Sequence, residues 1–309
     1  MAAATRADLG GGYGAGDAMS ALALAGWGAA AGGALQSMAL QLPEFGLLAL
    51  AIAITMLAGG INLAIVATAN LSAIAATLTW AALGQGPLSV VCGLVVGLAT
   101  GLSCGLICGL AITALRVTPI LATLCAMLAF TGAGVLLTGG AALGGLPPSF
   151  SAGVNSTFVG MPWILVVFLG VATGLQWMLA RTVFGQRVRA IGLNAEASRY
   201  SGIDTGAVML RVYALSGLLS AIAGLVMAGR FNSARAGYGE SYLLVAILAA
   251  VMGGIHPDGG RGHFSFLVLA VVILQVAASS LNILSVNTHV TTVVWGALLL
   301  AKLGVDRVR

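Results

Sequence analysis

Seven charged side chains, Arg181, Arg187, Arg189, Glu196, Arg199, Asp204 and Arg211, crowd one segment of a chain that has only 13 Lys and Arg and 8 Asp and Glu in 309 residues. Inside that island, Gly192-Leu-Asn-Ala-Glu-Ala-Ser-Arg-Tyr-Ser-Gly202 reads as a complete miniature helix. Asn194 is a good N-cap, because its side-chain oxygen accepts from a backbone N–H of the first turn. Glu196 falls in the first turn and Arg199 late, which suits the helix dipole, and Gly202 is placed as the stop. So short a helix does not hold itself in water. It is held by its own protein or by a partner, and its chemistry is contact rather than catalysis. A helical loop resting on a membrane surface is the plainer alternative.

Other residues able to do chemistry are sparse. His256, His263 and His289 stand 7 and 26 residues apart, which is not the spacing of a metal motif. Ser and His residues are too scattered for a triad. Cys92, Cys104, Cys108 and Cys125 all lie in apolar stretches with no His or carboxylate nearby, so they read as soft packing residues. A P-loop needs Gly-Lys-Ser/Thr, and the only lysine, Lys302, follows Ala301. No catalytic residue and no metal ligand is therefore expected, and the chain does not hydrolyse ATP by that device. Asn62 and Asn70 are polar groups in apolar surroundings, which need a reason. Eight residues apart, they share one face if their helix is continuous. They either line or support a path for a polar solute, or they bond helix to helix with no solute near.

The elements that must carry these residues are membrane spans. Charged residues are 7% of the chain and hydrophobic ones 60%, with a mean hydropathy of +1.07, against roughly 25% charged residues in soluble domains. The expected fold is all-α, a polytopic bundle of about nine or ten helices, each able to bury about 20 apolar residues in a bilayer. The expected division is a disordered segment over 1–18 and one transmembrane domain over 19–309, with its cytoplasmic loop at 181–211. Residues 1–18 lack the basic and apolar regions of a cleavable signal. Met19–Leu40 is a weak span candidate, and Phe45–Gly60 follows Glu44. Gly93, Gly97, Gly101, Gly105 and Gly109 recur every fourth residue, a smooth stripe for close helix packing in lipid. Threading the spans puts most Arg and Lys on the island's side, the cytoplasmic one, leaving Arg230 and Arg235 outside. The net charge of +5 thus follows the positive-inside pattern and implies membrane lipid, not nucleic acid, as the neighbour. Every Asp and Glu maps to a loop or span end. Gly59-Gly-Ile-Asn62 and Gly253-Gly-Ile-His256 echo one another, and each Gly pair breaks a helix.

The island resembles the coupling loop of ABC-transporter permeases of the ribose/xylose type, roughly T-x-F-G-R-x-x-x-A-I-G-x-N-x-x-A-A-x-x-x-G-I. The matches are Thr182, Phe184, Gly185, Ala190, Ile191, Gly192, Asn194, Ala197, Gly202 and Ile203, with Gln186 and Ser198 departing. Leu57–Leu63, Pro119–Leu124, Leu215–Gly224 and Gly253–Gly262 resemble further motifs of that family in the same order. Asn62 stands where the family usually has Asp, and Leu243 where it usually has Glu. The resemblance implies an importer permease of a bacterial inner membrane, paired with a second copy or a paralogue. It implies an extracytoplasmic solute-binding protein and a separate ABC ATPase contacting Gly192, Asn194, Glu196, Ala197, Arg199 and Gly202. A sugar or sugar-like solute follows from the resemblance alone. A secondary transporter is the alternative; it usually leaves ionisable groups in mid-span.

Overall fold

The computed structural model describes residues 37–84, 86–158 and 161–308. The segment 1–18 and most of the Met19–Leu40 candidate lie outside them. The described residues form a bundle of helices with two small two-stranded ribbons. In order these are α1 Ser37–Leu57, α2 Ile65–Leu83, α3 Pro87–Thr113, α4 Pro119–Thr138, β1 Leu143–Gly144, α5 Pro148–Asn155, β2 Thr157–Phe158 and β3 Met161–Pro162. Then follow α6 Trp163–Arg181, α7 Val183–Leu193, α8 Ala195–Tyr200, α9 Thr205–Phe231, β4 Ser233–Ala234, α10 Tyr242–Met252, α11 Phe264–Ile283 and α12 Thr288–Val308. Seven of these, α1 to α4, α6, α9 and α11, are long and apolar enough to cross a membrane, and two shorter apolar helices, Tyr242–Met252 and Val290–Lys302, join them among the described residues. The chain is a multi-pass helical membrane protein, as its composition requires.

Burial divides the helices into a centre and a rim. From Phe45 to Ala58, α1 is buried on every side, the mark of a helix apolar all round at the heart of a bundle. Leu47, Ile52, Phe168, Val212, Ala246 and Leu267 pack with it in one core. On the rim, α3, α4, α6 and α11 expose Leu, Ile and Val on one side, for example Leu102, Leu128, Leu169 and Leu269, a surface suited to lipid.

The glycine stripe of α3 is buried, and its work is to seat α9 and α2. A Cβ at Gly105 would strike the carbonyl of Tyr213, and one at Gly217 would strike the carbonyl of Gly101. A Cβ at Gly224 of α9 would likewise strike Ala69 of α2. Backbones therefore meet where side chains would otherwise hold them apart. Ser216 and Gly224 of α9 rise with Asn62 and Ala69, so α2 runs parallel to α9, and α3 runs against both.

One boundary departs from the sequence reading. Phe45 does not begin a span: Leu40, Glu44 and Phe45 belong to one helix, α1. Glu44 is therefore not at a span end. It lies within α1, fully buried, paired with Arg230 at 2.7 Å. The hydropathy drop at Gln41–Glu44 looked like a boundary because the partner, Arg230, is 186 residues away. The segment 181–211 holds α7, α8 and the first turns of α9.

Both Gly-Gly-Ile segments are helix stops of one design. After α1, Gly60 N–H bonds to Thr55 O at 3.0 Å with Gly59 at φ +84; after α10, Ile255 N–H bonds to Ala250 O at 3.0 Å with Gly254 at φ +76. Each is a left-handed stop that closes the last turn on its own carbonyls.

Candidate functional site

The island is folded locally by its own caps. Thr182 opens α7, its hydroxyl donating to Met178 O at 2.6 Å and accepting from Gly185 N–H at 3.4 Å. The face of α7 carrying Gly185, Val188 and Ile191 is buried, and Arg189 reaches across to the carbonyl of Gly262 at 3.0 Å. Asn194 then serves two helices. Its backbone N–H closes α7 on Ala190 O at 3.0 Å, and its side-chain oxygen accepts from Ala197 N–H at 2.9 Å to open α8. Ser198 is the buried face of α8 and donates to Asn194 O at 2.8 Å. Gly202 N–H returns to Arg199 O at 3.1 Å, and Asp204 caps α9 by accepting from Ala207 N–H at 2.9 Å.

Of the residues expected at the contact, Asn194, Glu196, Ala197, Arg199 and Gly202 are exposed, with Tyr200 beside them. Gly192 is set apart from these. It lies half-buried under the loop, where an added Cβ would strike Leu57 O and Gly260 N. At the same place Gly260 N–H donates to Leu57 O at 2.9 Å, and a Cβ on Gly259 would come within 2.7 Å of Gly59 Cα. Three strands of backbone thus meet: the end of α7, the stop after α1 and the α10–α11 connection. An open cavity of about 730 Å³ lies beside the joint, bordered by Arg116, Pro119, Asn194, Arg199 and Asp258. The arrangement is a close backbone joint between the end of α7, the end of α1 and the α10–α11 connection, next in sequence to the exposed short helix α8.

Asn62 and Asn70 are not on one continuous helix. Asn62 precedes α2, accepts from Ala64 N–H at 3.0 Å and donates to Ser216 Oγ at 3.0 Å. Ser216 in turn donates to Ala51 O at 2.8 Å, so the Asn62 amide ties the α1–α2 break to α9 and α1. Asn70 donates to Ala236 O at 2.8 Å and to Tyr238 O at 2.9 Å, pinning the α9–α10 connection. It also borders a cavity of about 380 Å³ with Thr131 and Glu240. The condition of a continuous helix is not met: residues 61–64 are non-helical and α2 begins only at Ile65.

Sequence reasoning missed the joint at Leu57, Gly259 and Gly260, although the repeated Gly-Gly-Ile segment was the signal that led there. It also missed the ion pair, for which no local signal exists. Among the described residues no group of three or more His, Cys, Asp or Glu is placed to hold a metal ion.

A family model described as branched-chain amino acid transport system / permease component matches residues 34–303. The ribose import permease protein RbsC of Bacillus subtilis (strain 168) is 37% identical over 265 residues, covering 85% of this chain and 81% of that protein. The autoinducer 2 import system permease protein LsrD of Yersinia enterocolitica serotype O:8 is 34% identical, covering 82% and 78%. Its counterpart from Klebsiella pneumoniae subsp. pneumoniae is 34% identical, covering 82% and 77%. No solved structure matches the chain.

Proposed function

The chain belongs to the family of branched-chain amino acid transport system permease components, a bacterial inner-membrane permease of the ribose/xylose type, and we propose that it is the membrane subunit of an ATP-driven importer. The importer takes a small polar solute, sugar or sugar-like, from an extracytoplasmic binding protein and releases it to the cytoplasm. A separate ABC ATPase binds and hydrolyses the ATP, and a second permease copy or paralogue completes the membrane part. The observation that carries this reading is α8, an exposed, doubly capped six-residue helix that follows α7, whose end at Gly192 meets the backbone of Leu57 and Gly260. Closure of the ATPase pair presses α8, and the joint passes the displacement to α1 and the α10–α11 connection. A cysteine at Ala197 should cross-link to the ATPase subunit in membranes, with a yield that changes when ATP is added. A cysteine there that labels freely and never cross-links would remove the reading.

One observation favours a second reading. Glu44 and Arg230 form an ion pair inside the bundle, the kind of intramembrane group a proton-coupled secondary transporter uses. Uptake driven by a proton gradient alone, and lost in Glu44→Gln, would support that alternative. Uptake that needs ATP and survives Glu44→Gln supports the importer.

A further inference from the structure

A cavity of about 460 Å³ opens between α1, α10, α11 and α12, at the end of the bundle away from the island. Its volume lies in the range of small-molecule sites, roughly 300 to 1,000 Å³. Gln41 of α1, Tyr242 of α10, Gln275 and Asn282 of α11, and Thr291 and Trp295 of α12 line it. Trp295 is only 5% exposed and Gln275 only 4%, so both are built into the wall rather than lying on the surface. Gln275 donates to Gln41 Oε1 at 3.2 Å and to Ser279 Oγ at 3.3 Å, which fixes the amide across two helices.

The backbone around the cavity is broken on two sides. With 11 residues, α10 is about 16 Å long, near half the depth of a bilayer core. The α11–α12 connection turns through Ser285 at φ +54. Short or interrupted segments within the membrane are tolerated where they line a cavity, and they mark solute sites in transporters.

The lining also states its chemistry. Among the described residues that border the cavity none is charged. A carboxylate or ammonium ion brought there would lose its hydration without a counter-charge. Amides and hydroxyls both donate and accept, so they suit neutral hydroxyl groups, and Trp295 offers an apolar ring face. The nearest ion pair, Glu44 with Arg230, is turned to itself behind Tyr242, whose hydroxyl stands 3.5 Å from Glu44 Oε2.

We infer that this cavity is a binding site, within a single permease chain, for a neutral polyhydroxylated solute and not for a zwitterionic amino acid. The inference rests on the reading of the chain as an importer permease. It is tested in membranes carrying the assembled transporter, with Cys92, Cys104, Cys108 and Cys125 replaced and Thr291→Cys added. D-Ribose, with D-xylose and erythritol as companions, should slow labelling of that cysteine by a water-soluble thiol reagent, and L-leucine should not. Trp295→Ala should raise the ribose concentration needed for protection by about tenfold, the size of one lost aromatic contact. Trp295→Phe should restore it. Failure of all three polyols to protect, or equal protection by leucine, overturns the inference. ATP-dependent uptake measured in parallel separates the two levels: uptake that persists with an unprotected cysteine refutes the site and leaves the importer standing. Protection without ATP-dependent uptake of any solute upholds the site and refutes the importer.

Discussion

The backbone N–H of Gly260 donates to the carbonyl oxygen of Leu57 at 2.9 Å, and Gly192 lies against both. That bond joins the end of the central helix α1 to the α10–α11 connection directly beneath the charged island. Because all three contacts are backbone to backbone, the joint has little freedom to absorb a displacement. Under the proposed coupling role, motion of the island would be delivered to α1.

Replacing Gly192 with Ala should disturb this joint more than it disturbs the fold. The added Cβ strikes Leu57 O and Gly260 N, so the segments must part, at an overpacking cost of about 1 to 3 kcal/mol. The expected result is a protein that inserts and assembles yet moves less solute per ATP hydrolysed. The ratio of uptake to hydrolysis in proteoliposomes measures it, and an unchanged ratio would contradict the transmission role.

Gly101→Leu addresses the glycine stripe. Its Cβ would strike Ala221 Cβ and approach Gly217 O within 2.7 Å, so α3 and α9 would have to separate. Lower yield and a lower unfolding temperature in detergent are expected, with solute preference unchanged. A stable variant with a new solute preference would show that the stripe does more than pack.

The Glu44–Arg230 pair predicts non-additive stability. Removing Arg230 leaves a fully buried carboxylate without its partner, at a cost of roughly 3 kcal/mol or more. Arg230→Met should therefore lower the unfolding temperature clearly, and Glu44→Gln/Arg230→Met should recover most of the loss. Additive losses in the double variant would mean that the two side chains act independently.

Cysteines at positions 62 and 70 should behave differently. Asn62 is 2% exposed and sits in the Ala51–Ser216 network, whereas Asn70 borders a cavity. Labelling at 70 should change when ATP and binding protein are added, and labelling at 62 should stay low in every state. Equal, state-dependent labelling at both positions would put both on the solute path.

Much of this was legible in the sequence because it is local. The cap at Asn194 and the stripe from Gly93 to Gly109 are fixed by residues a few positions apart. The exposure of Glu196, Ala197 and Arg199 on α8 follows from the same local chemistry. The ion pair of Glu44 with Arg230 and the bond from Gly260 to Leu57 join residues distant in the chain, and no periodicity reports them. The polar cavity near Trp295 was hidden for the same reason: its lining comes from four helices, each contributing one to a few unremarkable side chains.

The central claim is that α8 is where energy enters. It is tested most directly by comparing solute uptake and ATP hydrolysis for wild type, Glu196→Arg and Ala197→Trp in proteoliposomes containing the ATPase and binding protein. Both positions are exposed, so neither change should impair insertion or folding. The account predicts normal amounts of protein in the membrane, with uptake and stimulated hydrolysis abolished in both variants. Wild-type uptake in both would contradict it.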